Sequence, residues 1–198
     1  MVCVGTGPSD MAVGGHEEAD TNMNVHLRHA LNTGSRTILV TTRDTDIVVI
    51  LTGLFHALTT DFEGIDIWIG FGSRKDFRYY HVNTLYQEWG ERRCRALPFF
   101  HAFSGSDTTS QFLGRAKSRT WQTWCAFPDV TAAFMITSEQ PFIHLNTSSA
   151  MFSLIERFVC LLYDTSSAHS NVNDLRRDLF TTRGKPMESL PASHVSIA

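Results

Sequence analysis

Hydrophobic positions recur with helical spacing from Glu17 to Asn32, where Ala19, Met23, Leu27 and the pair Ala30 and Leu31 share one face and Gly34 supplies a stop. The β-branched run Thr37 to Thr42 (TILVTT) then predicts a buried parallel strand, and the apolar stretch Ile47 to Leu58 predicts a helix. Two further runs, IDIWIGF and FRYYHV, flank the turn-rich segment Gly72 to Asp76 and predict a hairpin or an adjacent strand pair. A short helix is expected over Asn83 to Trp89, another over Leu97 to Phe103 despite Pro98, and two more over Thr108 to Leu113 and Ser118 to Phe127, parted by a turn at Gly114. The stripe Met151, Leu154, Ile155, Phe158, Leu161 and Leu162 predicts a helix over Ser149 to Tyr163. Beyond it the chain is rich in Ser and Asn, with one short helical segment around Leu175 to Phe180.

The order helix, strand, helix, strand pair, helices predicts an α/β domain with a helical C-terminal part. Three divisions follow from the pattern: a flexible leader over residues 1–15, the domain proper over 16–165, and a tail or peripheral extension over 166–198. At 198 residues and 42% hydrophobic, the chain suffices for one core. A net charge of −3 excludes a globally basic nucleic-acid binder but allows a local basic track. The most apolar region, Thr37 to Leu58, is interrupted by Arg43, Asp44 and Asp46, so no membrane span or membrane partner is expected. The start has neither a basic n-region nor a sustained apolar h-region, and Cys3, Cys94, Cys125 and Cys160 follow no zinc or disulfide spacing. An intracellular protein, nuclear or cytoplasmic and not secreted, is the expectation.

Three short acidic motifs carry the chemistry: Glu18-Ala19-Asp20, Asp44-Thr45-Asp46 and Gly105-Ser106-Asp107. Taken singly, each has a purely structural explanation. Acids in a first helical turn complement the macrodipole, an aspartate after a strand is a good N-cap, and Gly-Ser-Asp makes a turn. Taken together, all lie at predicted element ends, which a parallel sheet gathers along one edge. Two carboxylates about 4 Å apart repel by roughly 4 kcal/mol at an effective dielectric near 20, so a converging cluster calls for a hard divalent cation. No HExxH occurs among the histidines, which argues against a zinc hydrolase, and neither a P-loop nor a strand-borne GxGxxG is present.

The motifs in this order resemble the second half of the PIN-like 5′-nuclease superfamily, the group that contains flap endonucleases. There an E-A-[ED] motif opens a helix, a strand runs into D-x-D, and a later G-x-D precedes a turn that grips DNA. The resemblance covers about His16 to Phe127. It implies a PIN-like, Rossmann-like fold with a mostly parallel sheet flanked by helices, and Mg²⁺ or Mn²⁺ held by Glu18, Asp20, Asp44, Asp46 and Asp107. Asp44, Asp46 and Asp107 are the implied catalytic acids. The helix-turn-helix region 108–127 would grip a DNA or RNA backbone through Gly114, Arg115, Lys117 and Arg119, with Ala116 where the family often has a second glycine. Trp121, Trp124 and Cys125 are read as the buried face of the following helix. The chain also resembles an uncharacterised group of animal proteins that share the strings HEEADT, DTDIVVI and LPFFHAFSGSDTTS.

Members of the superfamily begin with a strand that ends in an aspartate. The resemblance starts after that strand, so the sheet is expected to lack it and the site to lack its acids. The implied function is accordingly a divalent-metal-dependent nucleic-acid phosphodiesterase of the structure-specific 5′-nuclease type, inactive as this chain if those acids are required. The alternative is a non-catalytic module that binds nucleic acid or protein on a degenerate PIN-like fold. An aspartyl-phosphate phosphatase using Asp44 and Asp46 fits poorly, because Thr41, Thr42 and Arg43 replace an apolar strand end.

Overall fold

The computed structural model describes residues 2–4, 19–106, 109, 112–140 and 146–193. The chain divides into two units, residues 1–95 and 96–198, where the sequence pattern led to one domain over 16–165.

The first unit is a βαβαβ run closed by a hairpin. Strands β1 (Val2–Val4), β2 (Thr37–Thr42), β3 (Asp66–Phe71) and β4 (Arg78–His81) form one sheet in that spatial order. β1 and β3 pair with β2 in parallel, and β4 pairs with β3 antiparallel. The expected absence of an N-terminal strand is thus corrected: Val2 to Val4, inside the leader, pair with Ile38 to Val40. Three β-branched or small apolar residues suffice to extend an existing sheet edge, although they are too few to show periodicity in sequence.

Helices α1 (Ala19–Asn32), α2 (Thr45–Asp61) and α3 (Val82–Trp89) share one face of this sheet. Their buried residues Met23, Leu27, Leu31, Ile47, Leu51, Phe55, Leu58 and Val82 form one core with Ile38, Val40, Ile67 and Ile69 of the strands. α1 stops where Gly34 takes φ +96°, with Ser35 N donating to Ala30 O and Gly34 N to Leu31 O, the paired bonds of a glycine C-cap. In the β3–β4 connection, Gly72 (φ +100°) is required twice over: it lies in the left-handed region, and a Cβ there would stand 2.6 Å from the Asp76 carbonyl oxygen.

The second unit is helical: α4 (Glu91–Phe103, which begins before the division), α5 (Lys117–Ala126), α6 (Thr131–Glu139), α7 (Ala150–Tyr163) and α8 (Val172–Thr181). α6 has no counterpart in the sequence reading. An aromatic cluster fills the unit, with Phe100 stacked 4.6 Å from Trp124 and Phe134 edge-on to both Trp124 and Phe158. Trp124 is buried and donates to Thr131 Oγ1 at 2.9 Å, and Trp121 packs edge-on against it. Cys125, expected on the same buried face, is exposed.

Residues after 165 include a packed helix. Val172, Leu175 and Leu179 of α8 are buried with Val159, Cys160 and Leu162 of α7. Buried Glu156 accepts a hydrogen bond from Val172 N at 2.9 Å, and the Asn171 side chain caps the next turn. Such caps satisfy the orphan amides of a helix start.

Candidate functional site

β2 delivers Thr42 to the C-terminal edge of the parallel strands, and α2 begins three residues later. Asp44 makes that transition. Its amide donates to Thr42 Oγ1 (2.9 Å), and its Oδ1 accepts from Asp46 N (2.9 Å) as the N-cap of α2. Asp44 is exposed and Asp46, in the first turn, is half-buried. The cap occupies one oxygen of Asp44; no hydrogen bond to the other is present among the described residues. β3 ends at the same edge, where Gly72 N donates to Thr42 O at 3.1 Å.

Asp20 lies in the first turn of α1; its side chain is outside the described residues, as are Glu18 and Asp107. The structure therefore brings together Asp44 and Asp46 of the five expected metal ligands. Among the described residues no group of three or more His, Cys, Asp or Glu side chains is arranged to hold a metal ion. Ser106 N donates to Thr109 Oγ1 at 2.8 Å, and the turn expected at Gly105-Ser106-Asp107 runs into residues outside those described.

The basic turn has a different character from the one the resemblance implies. Gly114 is exposed with φ +68°. Arg115 folds onto the end of α7, its guanidinium 4.6 Å from the Tyr163 ring centre and its Nη2 donating to Tyr163 O at 3.3 Å. A cation suits that position, since it meets the negative end of the α7 dipole and a ring face at once. Burial raises the Tyr163 hydroxyl pKa, and Arg115 opposes that only in part. Lys117 Nζ lies 2.9 Å from His101 Nδ1 and 3.3 Å from His101 O. Arg119 is exposed. Two of the three cations expected on phosphate thus have partners within the second unit.

Two polar networks in the first unit were not foreseen. Asp66 accepts from Trp68 Nε1 (3.0 Å) and pairs with His81 Nε2 (2.7 Å), while His81 Nδ1 meets Thr84 Oγ1 (2.8 Å). This ties β3 to β4 and to the start of α3. His56 Nδ1 meets Tyr86 Oη at 2.9 Å and its Nε2 lies 3.5 Å from Glu91. Burial, then Glu91 and Cys94, raise the Tyr86 pKa against the opposing effect of Arg95, so its hydroxyl keeps its proton beside the histidine. Also unforeseen is an exposed surface from Ser73 to Tyr80, whose sequence signal was the interleaving of basic and aromatic residues in RKDFRYYH.

The chain matches no family model, no curated protein and no solved structure. Among the described residues no helix is long and apolar enough to cross a membrane.

Proposed function

We propose that the chain is a divalent-metal-dependent nucleic-acid phosphodiesterase of the PIN-like 5′-nuclease type, with Asp44 and Asp46 at its centre. The observation that carries this reading is the position of Asp44-Thr45-Asp46 at the C-terminal edge of parallel strands, where open α/β sheets take their ligands. The donor chemistry fits the ion, because Mg²⁺ and Mn²⁺ take carboxylate oxygens and Asp44 keeps an oxygen beyond the one used in its cap. When bound, such an ion neutralises phosphate charge and lowers the pKa of a water molecule for in-line attack. Asp44 and Asp46 would hold it, with Glu18 and Asp20 added on the strength of their sequence motif. The role of the chain is to fix carboxylates at the sheet edge and to present phosphate there.

The second reading, a non-catalytic module, is favoured by Arg115 and Lys117, whose contacts with Tyr163 and His101 compete with a phosphate grip. An Asp44→Asn/Asp46→Asn double variant separates the readings cleanly, because asparagine caps a helix as well as aspartate does. With labelled flap, duplex and single-stranded substrates in Mg²⁺ or Mn²⁺, the wild type is expected to cleave and the variant to lose about 100-fold or more in rate. Equal cleavage by the two proteins overturns the catalytic assignment. Absence of cleavage by both, with no rise of melting temperature in millimolar Mn²⁺, favours the module, since an ion that binds only the native state must stabilise it.

A further inference from the structure

The β3–β4 hairpin carries a second surface, which starts beside the acidic motif, where Gly72 N donates to Thr42 O, and runs along β4. Trp68 pairs with His81 and Gly70 with Tyr79 across the strands. Side chains alternate along a strand, so these four positions lie on the face opposite Ile67 and Ile69, which pack under the helices. Phe77 covers Gly70 so closely that a Cβ at position 70 would stand 2.6 Å from its ring, and it meets Tyr79 edge-on at 5.2 Å. Tyr79 is 61% exposed and Phe77 37%. Beside them, in the turn, stand Arg74 and Lys75, both exposed and neither in an ion pair among the described residues, while Arg78, which pairs with Phe71, lies on the opposite face. Three cations against the single acid Asp76 leave the segment from Ser73 to Tyr80 at +2.

We propose that this hairpin binds single-stranded nucleic acid, with bases stacking on Phe77 and Tyr79 and phosphates lying against Arg74 and Lys75. The exposed large hydrophobic residues of the patch are all aromatic, which suits the flat π-face of a base better than the aliphatic ridge of a helix. The charge is complementary to phosphate and opposite in sign to that of the whole chain, which is −3. A single strand is specified because bases stacked within a duplex cannot reach rings that lie on a sheet surface. The surface is independent of the metal reading, and its test contains no metal.

Anisotropy of a labelled oligothymidine is measured in EDTA at low salt with the full chain. Tyr79→Ala is expected to weaken binding about tenfold, and Tyr79→Trp to retain it. Because residue 79 is mostly exposed, both variants should keep the wild-type circular dichroism and melting temperature. The Arg74→Gln/Lys75→Gln variant is expected to flatten the slope of log affinity against log salt by about 1.4, at roughly 0.7 per neutralised phosphate on a single strand. Equal affinity of wild type and Tyr79→Ala overturns the proposal, as does a hairpin duplex bound as tightly as the single strand. So does a wild-type chain that ignores the strand at low salt, which would leave the face to a protein partner.

Discussion

Asp44 shows how far a single side chain can be read. Its place after a β-branched run makes it a helix cap, and the structure has it as one; the same place at a sheet edge is what the metal reading needs. Arg115 shows the converse. Its charge is plain in the sequence, but its destination, the carbonyl and ring of a residue 48 positions away, is set by tertiary packing. Asp164, at the end of α7, is a residue of purely structural interest with a testable pH signature. Burial works against its ionisation, but hydrogen bonds from the Ser166 hydroxyl and amide, together with Arg183 at 2.9 Å, outweigh burial and hold its carboxyl below the ordinary aspartate range. A lowered native pKa means that the unfolded chain takes up the proton first. The stabilisation is therefore whole above the unfolded value of about 3.9 and is lost as pH falls from there through the lowered native value. Urea melts of wild type and Asp164→Ala should differ by about 1–3 kcal/mol at neutral pH, and the two curves should draw together below about pH 4.

Among the elements, legibility followed length and periodicity. Thr37 to Thr42 appears as a strand with the predicted bounds because six β-branched or apolar residues between turns have few other solutions. α7 and α8 also lie within a few residues of their expected limits, since each carries one apolar stripe. α6, with the sequence TAAFMITSE, has apolar residues around most of its circumference, so no stripe announces it. β1 escaped notice for want of length. The hairpin was visible in outline, but its dependence on Gly72 was not, because the closeness of the Asp76 carbonyl is a property of the folded turn. Gly72→Ala should cost about 1–3 kcal/mol, since the backbone must take a left-handed conformation while an oxygen that cannot swing aside blocks the methyl group. Thermal melts monitored by near-ultraviolet circular dichroism would measure it; an unchanged transition would mean that the turn rearranges freely.

The whole molecule has a core in each of its two units, and cysteines report on both. Burial pushes the Cys94 thiol up to about 11 and the Cys160 thiol up to about 12, the second with help from Glu156, while Cys125 is exposed. Under native conditions at mildly alkaline pH, a maleimide should therefore label Cys125 about 100-fold faster than Cys94 or Cys160, as resolved by mass spectrometry of peptides. Comparable rates at all three would show that the units open readily. The division at residue 95 was not legible beforehand, because α4 runs through it without a break in helical pattern. At the margin of the sheet, β4 has a further bearing on solubility. A strand with one unpaired side is a template for another chain, and β4 is kept to four residues, opens with Arg78 and follows a tight turn bearing Arg74 and Lys75. A short cationic border of this kind repels its own copies. The charges that would draw a nucleic-acid strand to the hairpin thus also keep the sheet from growing into a fibre.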